Sequence, residues 1–174
     1  INIQPGRNAQ SRAGRYPIVV RVTSQASPDQ SVEGRTILNV GAFSQFACEI
    51  RPSRLKSREV AQLRVSNQGN AKNVFQASFQ DTADELRFEP PQIQMQIEPG
   101  QTVAADFKVS RKKARWLGGE QFNNFSAQVS CAEGAPQIIP AEFVNRALLP
   151  SWLLPILVVL CLLLASGAAV IYGN

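Results

Sequence analysis

Phe125-Ser126-Ala127-Gln128-Val129-Ser130-Cys131 places an apolar or small side chain at every second position. Successive side chains of a β-strand point to opposite faces, so this stretch reads as a strand with one face in a core and the other in water. The same alternation recurs on either side. Phe46, Cys48 and Ile50 alternate with Ala47, Glu49 and Arg51. Val60, Leu63 and Val65 form a run that ends at the turn signal Ser66-Asn67-Gln68-Gly69-Asn70. Val74–Phe79, Leu86–Phe88, Ile93–Ile97, Val103–Val109 and Ile138–Val144 follow, separated by Pro90-Pro91, Pro99-Gly100 and similar breakers. Seven or eight short strands between Gly, Pro and Asn turns predict an all-β fold, an immunoglobulin-like β-sandwich over residues 43–146.

An internal repeat extends this reading toward the amino terminus. Ile3-Gln4-Pro5-Gly6 parallels Ile97-Glu98-Pro99-Gly100, and Tyr16, Ile18, Val20 and Val22 match Phe125, Ala127, Val129 and Cys131. A proline then follows in each copy (Pro28, Pro136), and a closing strand after it (Thr36–Val40, Glu142–Val144). Residues 1–42 are therefore expected to be the carboxy-terminal half of a first sandwich, and residues 43–146 a complete second one. A lone half sandwich exposes its core face and its sheet edges. The expectation is a longer parent chain, or a partner, that completes the sheet.

The order of these segments resembles a family. "LRVSNQGNAKNV" (Leu63–Val74), "LRFEPP", "IEPGQTVAADFKV", the basic "RKKARWLGG", "FSAQVS" and "LLPSWLLPIL" are similar to the immunoglobulin-like, fibronectin-type-III-like repeats of bacterial membrane proteins. Its best marks are the V-x-N-x-G-N turn at Val65–Asn70 and the strand from Pro99 to Val109. Related domains sit beside catalytic modules in some glycosidases. The resemblance implies a non-catalytic sandwich, since no residue here carries such chemistry over.

The third expected segment is residues 147–174, a single carboxy-terminal transmembrane helix. No charged residue follows Arg146, and Trp152 to Tyr172 is strongly apolar. As a helix this stretch reaches about 30 Å, the thickness of a bilayer's hydrocarbon core. Trp152 and Tyr172 stand at its ends as interface anchors. Cys161, Ala165, Ala169 and Gly173 recur every four residues, a stripe on which another helix packs closely; the plainer reading is that Ala and Gly are simply common in such helices. Arg146 leans the β-domain toward the cytoplasm by the positive-inside rule, whereas immunoglobulin-like domains on single anchors more often face outward, so the side stays open.

Charge and chemistry narrow the function. The net charge is +5, but the cations are scattered along strands with few aromatics between them, which argues against nucleic acid. There is no histidine, no G-x-S-x-G elbow, no P-loop and no CxxC pair. The chain therefore offers no ordinary base for a hydroxyl nucleophile and no zinc set, and we expect no catalytic residue, no cofactor, no metal and no small-molecule substrate. Asp81, Asp84 and Glu85 cluster, yet lack the glycine turn and ligand count of a calcium loop, so a solvated loop is expected. Arg111, Lys112, Lys113, Arg115 and Trp116 form the sharpest charged motif, a contact for lipid headgroups or an acidic partner, or else a charged strand edge. Cys48 and Cys131 share the inward phase and are a candidate inter-sheet disulfide; the alignment of Cys131 with Val22 favours a plain core residue instead. The sequence thus predicts a single-pass membrane protein whose partners are lipid and other membrane-protein subunits, a stalk or docking subunit. The alternative is a tethering or carbohydrate-binding module for an upstream enzyme domain.

Overall fold

The computed structural model describes residues 3–57, 59–113, 118–146, 153 and 155–162. Eleven strands account for most of them. β1 (Gly14–Thr23) and β2 (Ser31–Val40) form an antiparallel hairpin that is a two-stranded sheet by itself. The remaining strands are β3 (Phe46–Arg51), β4 (Arg54–Lys56), β5 (Val60–Asn67), β6 (Asn73–Asp81), β7 (Leu86–Glu89), β8 (Gln92–Ile97), β9 (Thr102–Arg111), β10 (Glu120–Cys131) and β11 (Gln137–Arg146). They build one sheet in the order β3-β5-β9-β7 and a second in the order β4-β11-β10-β6-β8.

This strand order is that of an immunoglobulin-like sandwich. The first strand is split between the sheets: β3 pairs antiparallel with β5, while β4 crosses over and pairs parallel with β11. β5 and β9 continue one layer, and β6, β10 and β11 the other. After β6 the chain visits the first sheet as β7, returns to the second as β8 and crosses again as β9. Pro90 and Pro91 stand between β7 and β8, where the missing N–H groups break no ladder.

The core is the sum of the inward phases. Ala61, Leu63 and Val65 of β5 meet Phe75 and Ala77 of β6, Ile93, Met95 and Ile97 of β8, Phe107 and Val109 of β9, and Phe125, Ala127 and Val129 of β10. Phe107 stacks on Phe79 at 4.4 Å between ring centroids, and Phe79 stacks on Phe88 at 5.2 Å. Phe46 meets Phe75 edge-on at 5.1 Å. Two details depart from the sequence reading. Val60 is exposed, and Ala61 holds the inward place. β4, too short to show a pattern, contributes the fully buried Leu55.

The expected transmembrane helix is not found as such. Residues 155–162 are helical, but among the described residues no helix is long and apolar enough to cross a membrane. Cys161 lies in this short helix and is exposed. Trp152, Ala165, Ala169, Gly173 and Tyr172 lie outside the described residues.

Candidate functional site

Among the described residues, two asparagines of the V-x-N-x-G-N turn are the buried polar residues of the sandwich, with Asn67 fully buried and Asn70 nearly so. A buried amide is costly unless its donors and acceptor are paired, and both are. Asn67 Nδ2 donates to the carbonyls of Ala71 (2.9 Å) and Ile97 (3.0 Å), and its Oδ1 accepts from Gly69 N–H (3.0 Å). Its backbone bonds the next turn as well, receiving Gly100 N–H at 2.8 Å and donating to Gln101 O at 2.9 Å. Gly100 has φ +75, a conformation in which a side chain is strained.

Asn70 faces the other way, toward the amino-terminal segment. Its Nδ2 donates to Ser11 O and to Gly41 O, both at 2.9 Å, and its Oδ1 accepts from Phe43 N–H at 2.8 Å. Ala13 N–H donates to Asn70 O at 3.0 Å. Both arms of the β1–β2 hairpin, the one entering β1 and the one leaving β2, are thus tied to one side chain of the sandwich. Gly69 permits the approach: a Cβ there would stand 2.5 Å from Phe43 O. The Arg7 guanidinium covers the Phe43 ring at 5.1 Å from its centroid.

The hairpin held by this joint has two unlike faces. The register pairs Tyr16 with Leu38, Ile18 with Thr36, Val20 with Gly34 and Val22 with Val32, and these pairs share one face. That face is free of charge. The opposite face carries Arg15, Arg21, Glu33 and Arg35, with Arg21 ion-paired to Glu33. Val22 and Val32, at the turn end of the apolar face, are 64% and 75% exposed, while Ile18, Val20 and Leu38 are half-buried; among the described residues no third strand joins this two-stranded sheet. The corresponding face of β10 and β11 is the core, with Phe125, Ala127, Val129, Ala141 and Phe143 buried.

The acidic cluster and the basic run, which are separate motifs in the sequence, meet in space. Arg111 pairs with Glu85, and Lys112 with Asp84. Arg111 also donates to Gln121 (3.0 Å), and Asn123 donates to Glu85 (3.0 Å). The Arg111 side chain is mostly buried, and its hydrogen bond, followed by that of Asn123, holds the Glu85 carboxyl below the usual carboxylate range. Asp81 instead caps its own turn, accepting the N–H groups of Ala83, Glu85 and Leu86. Among the described residues no three acidic or sulfur side chains are grouped to hold a metal ion. Arg111 and Lys112 thus face carboxylates of their own chain, Lys113 is exposed, and Arg115 and Trp116 lie outside the described residues.

The candidate Cys48–Cys131 disulfide is not formed, and both thiols are free. Cys48 Sγ donates to Gln137 Oε1 at 3.1 Å, while Cys131 Sγ lies 3.1 Å from Ser44 Oγ. Gln137 Nε2 donates in turn to Phe46 O at 2.7 Å, so an amide links the layers beside the two cysteines. Burial pushes the Cys48 thiol up to about 11. An open cleft of about 1050 Å³ lies beside Phe79, Phe88, Pro90, Phe125 and Pro140; the charged groups at its rim include Asp81 and Lys112, both already engaged.

Fold and site together define an immunoglobulin-like β-sandwich protein with a clamped, open-faced hairpin. No family model matches the sequence, and no curated protein matches it. Among solved structures, the periplasmic chaperone SfaE is similar over 58% of this chain and 57% of its own, at 10% identity and a TM-score of 0.42. The CsuC–CsuE chaperone–tip adhesion subunit pre-assembly complex, from archaic chaperone-usher Csu pili of Acinetobacter baumannii, is similar over 58% and 57%, at 13% identity and a TM-score of 0.37. The chain thus spans little more than half the length of these chains, and the sandwich assignment rests on the strand order and register given above.

Proposed function

We propose that this chain is a non-catalytic interaction protein held at a membrane by residues 147–174, whose β1–β2 hairpin is the docking element. Its occupant is a set of β-strands that layers the apolar face and completes a first sandwich. The observation that carries this reading is the charge-free face of Tyr16, Ile18, Val20, Val22, Val32 and Leu38, exposed at Tyr16, Val22 and Val32 and half-buried at Ile18, Val20 and Leu38, whereas Phe125, Ala127 and Val129, which Tyr16, Ile18 and Val20 parallel, are core. A sheet with one apolar face gains its stability by covering it. The Asn70 joint supports the same reading, because a clamped hairpin presents that face in a fixed direction. The anchor is supported by the charge-free sequence after Arg146 and by the consecutive exposed side chains Ile156 to Leu160. A helix apolar on all sides needs a lipid or protein surround.

The test is site-directed labelling in membranes of producing cells. Val22 and Val19 are similarly exposed on opposite faces of the hairpin, at 64% and 54%. Membranes carrying full-length Val22→Cys or Val19→Cys are washed with alkaline carbonate and treated with a membrane-impermeant maleimide after opening of both compartments, and the label is located by peptide mapping. Both variants should stay in the pellet, with Val22→Cys labelled at least about 10-fold more slowly than Val19→Cys, as a covered site is. Equal labelling would exclude a covering layer, and release by carbonate would exclude the anchor.

A further inference from the structure

Among the described residues the sandwich ends in four edge strands, β3 and β7 in one sheet and β4 and β8 in the other. An edge presents a row of unpaired backbone groups and invites another strand, and proteins guard such edges with charge or brevity. Three of these edges are guarded. β3 carries Glu49 and Arg51, β4 carries Arg54 and Lys56, and β7 carries Arg87 and Glu89; β4 and β7 are also only 3 and 4 residues long. β8 is not guarded. Its six residues, Gln92-Ile93-Gln94-Met95-Gln96-Ile97, include no charge, proline or glycine.

The neutrality extends inward from that edge. Ile93, Met95 and Ile97 face the core, while Gln92, Gln94 and Gln96 are exposed on the outer face. Gln94 lies opposite Gln76 of β6, which lies opposite Ser130 of β10; Gln92 lies opposite Ser78, and Ser78 opposite Gln128. The edge is therefore continuous with a field of amides and hydroxyls three strands wide, in a chain of net charge +5. A second copy of this chain would meet no like-charge repulsion there.

We infer that β8 pairs antiparallel with β8 of a second copy of this chain, joining two five-stranded sheets into one across a two-fold axis. The strand's own sequence selects this occupant. Directly opposed residues of an antiparallel pair share a face. With the axis at Gln94, Gln92 meets Gln96 on the outer face, and Ile93 meets Met95 on the inner face. A one-residue slip would set every glutamine against an apolar side chain, which leaves only registers of this parity. A two-fold contact is self-complementary by construction, as this strand is. Pro91 on one side and Pro99 on the other confine the ladder to the strand. This contact is separate from the hairpin face, so either can fail without the other.

The experiment is sedimentation of the full chain in a mild detergent with reductant present, over micromolar concentrations. The wild type should dimerise. Gln94→Lys and Gln94→Glu, at an exposed position, should keep the wild-type circular dichroism and denaturation midpoint yet weaken dimerisation at least about 10-fold, by setting like charges opposite each other. Mixing the two variants should restore a dimer. A monomeric wild type, a Gln94→Lys variant that associates as the wild type does, or a mixture that stays monomeric would each overturn the proposal.

Discussion

Asn70 and Phe43 are hydrogen-bonded in both directions: Phe43 N–H donates to Asn70 Oδ1 at 2.8 Å, and Asn70 N–H donates to Phe43 O at 3.3 Å. The residue that leaves the hairpin and the residue that ends the sandwich turn are in this way fixed against each other. With Ser11 and Gly41 also on the same amide, one side chain sets the direction of the hairpin.

Asn70→Ala removes every side-chain bond of that joint and leaves part-buried carbonyls and an N–H without a partner. Such groups cost about 1–3 kcal/mol when left unsatisfied. Urea denaturation should show a loss of about 2 kcal/mol, with faster amide exchange at Ala13 and Phe43. Asn70→Asp keeps the acceptor for Phe43 but turns an anion toward two carbonyls, and it should be no better than alanine.

The centre of the sandwich is aromatic. Phe107 is 1% exposed, stacks on Phe79 and stands edge-on to Phe125. Phe107→Ala should cost about 3–5 kcal/mol, from lost burial and the cavity left behind. Val60→Ala, at an exposed position one residue from the buried Ala61, should change stability by less than about 0.5 kcal/mol. Denaturant midpoints of the two variants check the contrast.

Glu85 links the charged network to pH. Its carboxyl binds a proton less readily in the folded state than in the unfolded chain, because Arg111 and Asn123 bond the charged form. Its contribution is therefore present above the ordinary glutamate value of about 4.3 and is lost as pH falls through the lower folded value. Stability of the wild type should fall more steeply in that acid window than stability of Glu85→Gln, and the two curves should run parallel near neutral pH.

Cys48 should resist alkylation in the folded protein. With its thiol pushed up to about 11, almost no thiolate exists at pH 8. Iodoacetamide should modify Cys48 at least about 10-fold faster in 6 M urea than in buffer. With neither Cys48 nor Cys131 in a disulfide, electrophoretic mobility of the denatured chain should be the same with and without reductant.

Strand alternation made much of the sandwich legible. Phe125, Ala127 and Val129 of β10, and Ile93, Met95 and Ile97 of β8, are buried in the phase their spacing predicts. β4 escaped because one apolar residue, Leu55, makes no period, and its pairing with β11 is contributed from 88 positions away. The joint escaped for a related reason. Asn67 and Asn70 read as turn formers, and nothing local reveals that Asn70 would meet Ser11, 59 positions distant. The charged clusters were visible singly, but not their meeting, since Asp84 and Lys112 are 28 positions apart. The sequence left a disulfide and a plain core residue both open, because inward phase places two sulfurs in a core without fixing their partners; Gln137 and Ser44 occupy that role.

Hydrogen exchange of the full chain on its own, resolved by residue, tests the open hairpin most directly. Both sheets of the sandwich are layered, whereas β1 and β2 form a two-stranded sheet by themselves, with Tyr16, Val22 and Val32 of its apolar face exposed. Amides of β5, β6, β9 and β10 should exchange only through global unfolding, and those of Ile18 to Val22 at least about 100-fold faster, through local opening. Hairpin amides as slow as those of β10 would mean that the face is already covered within the chain, and the docking element would be lost.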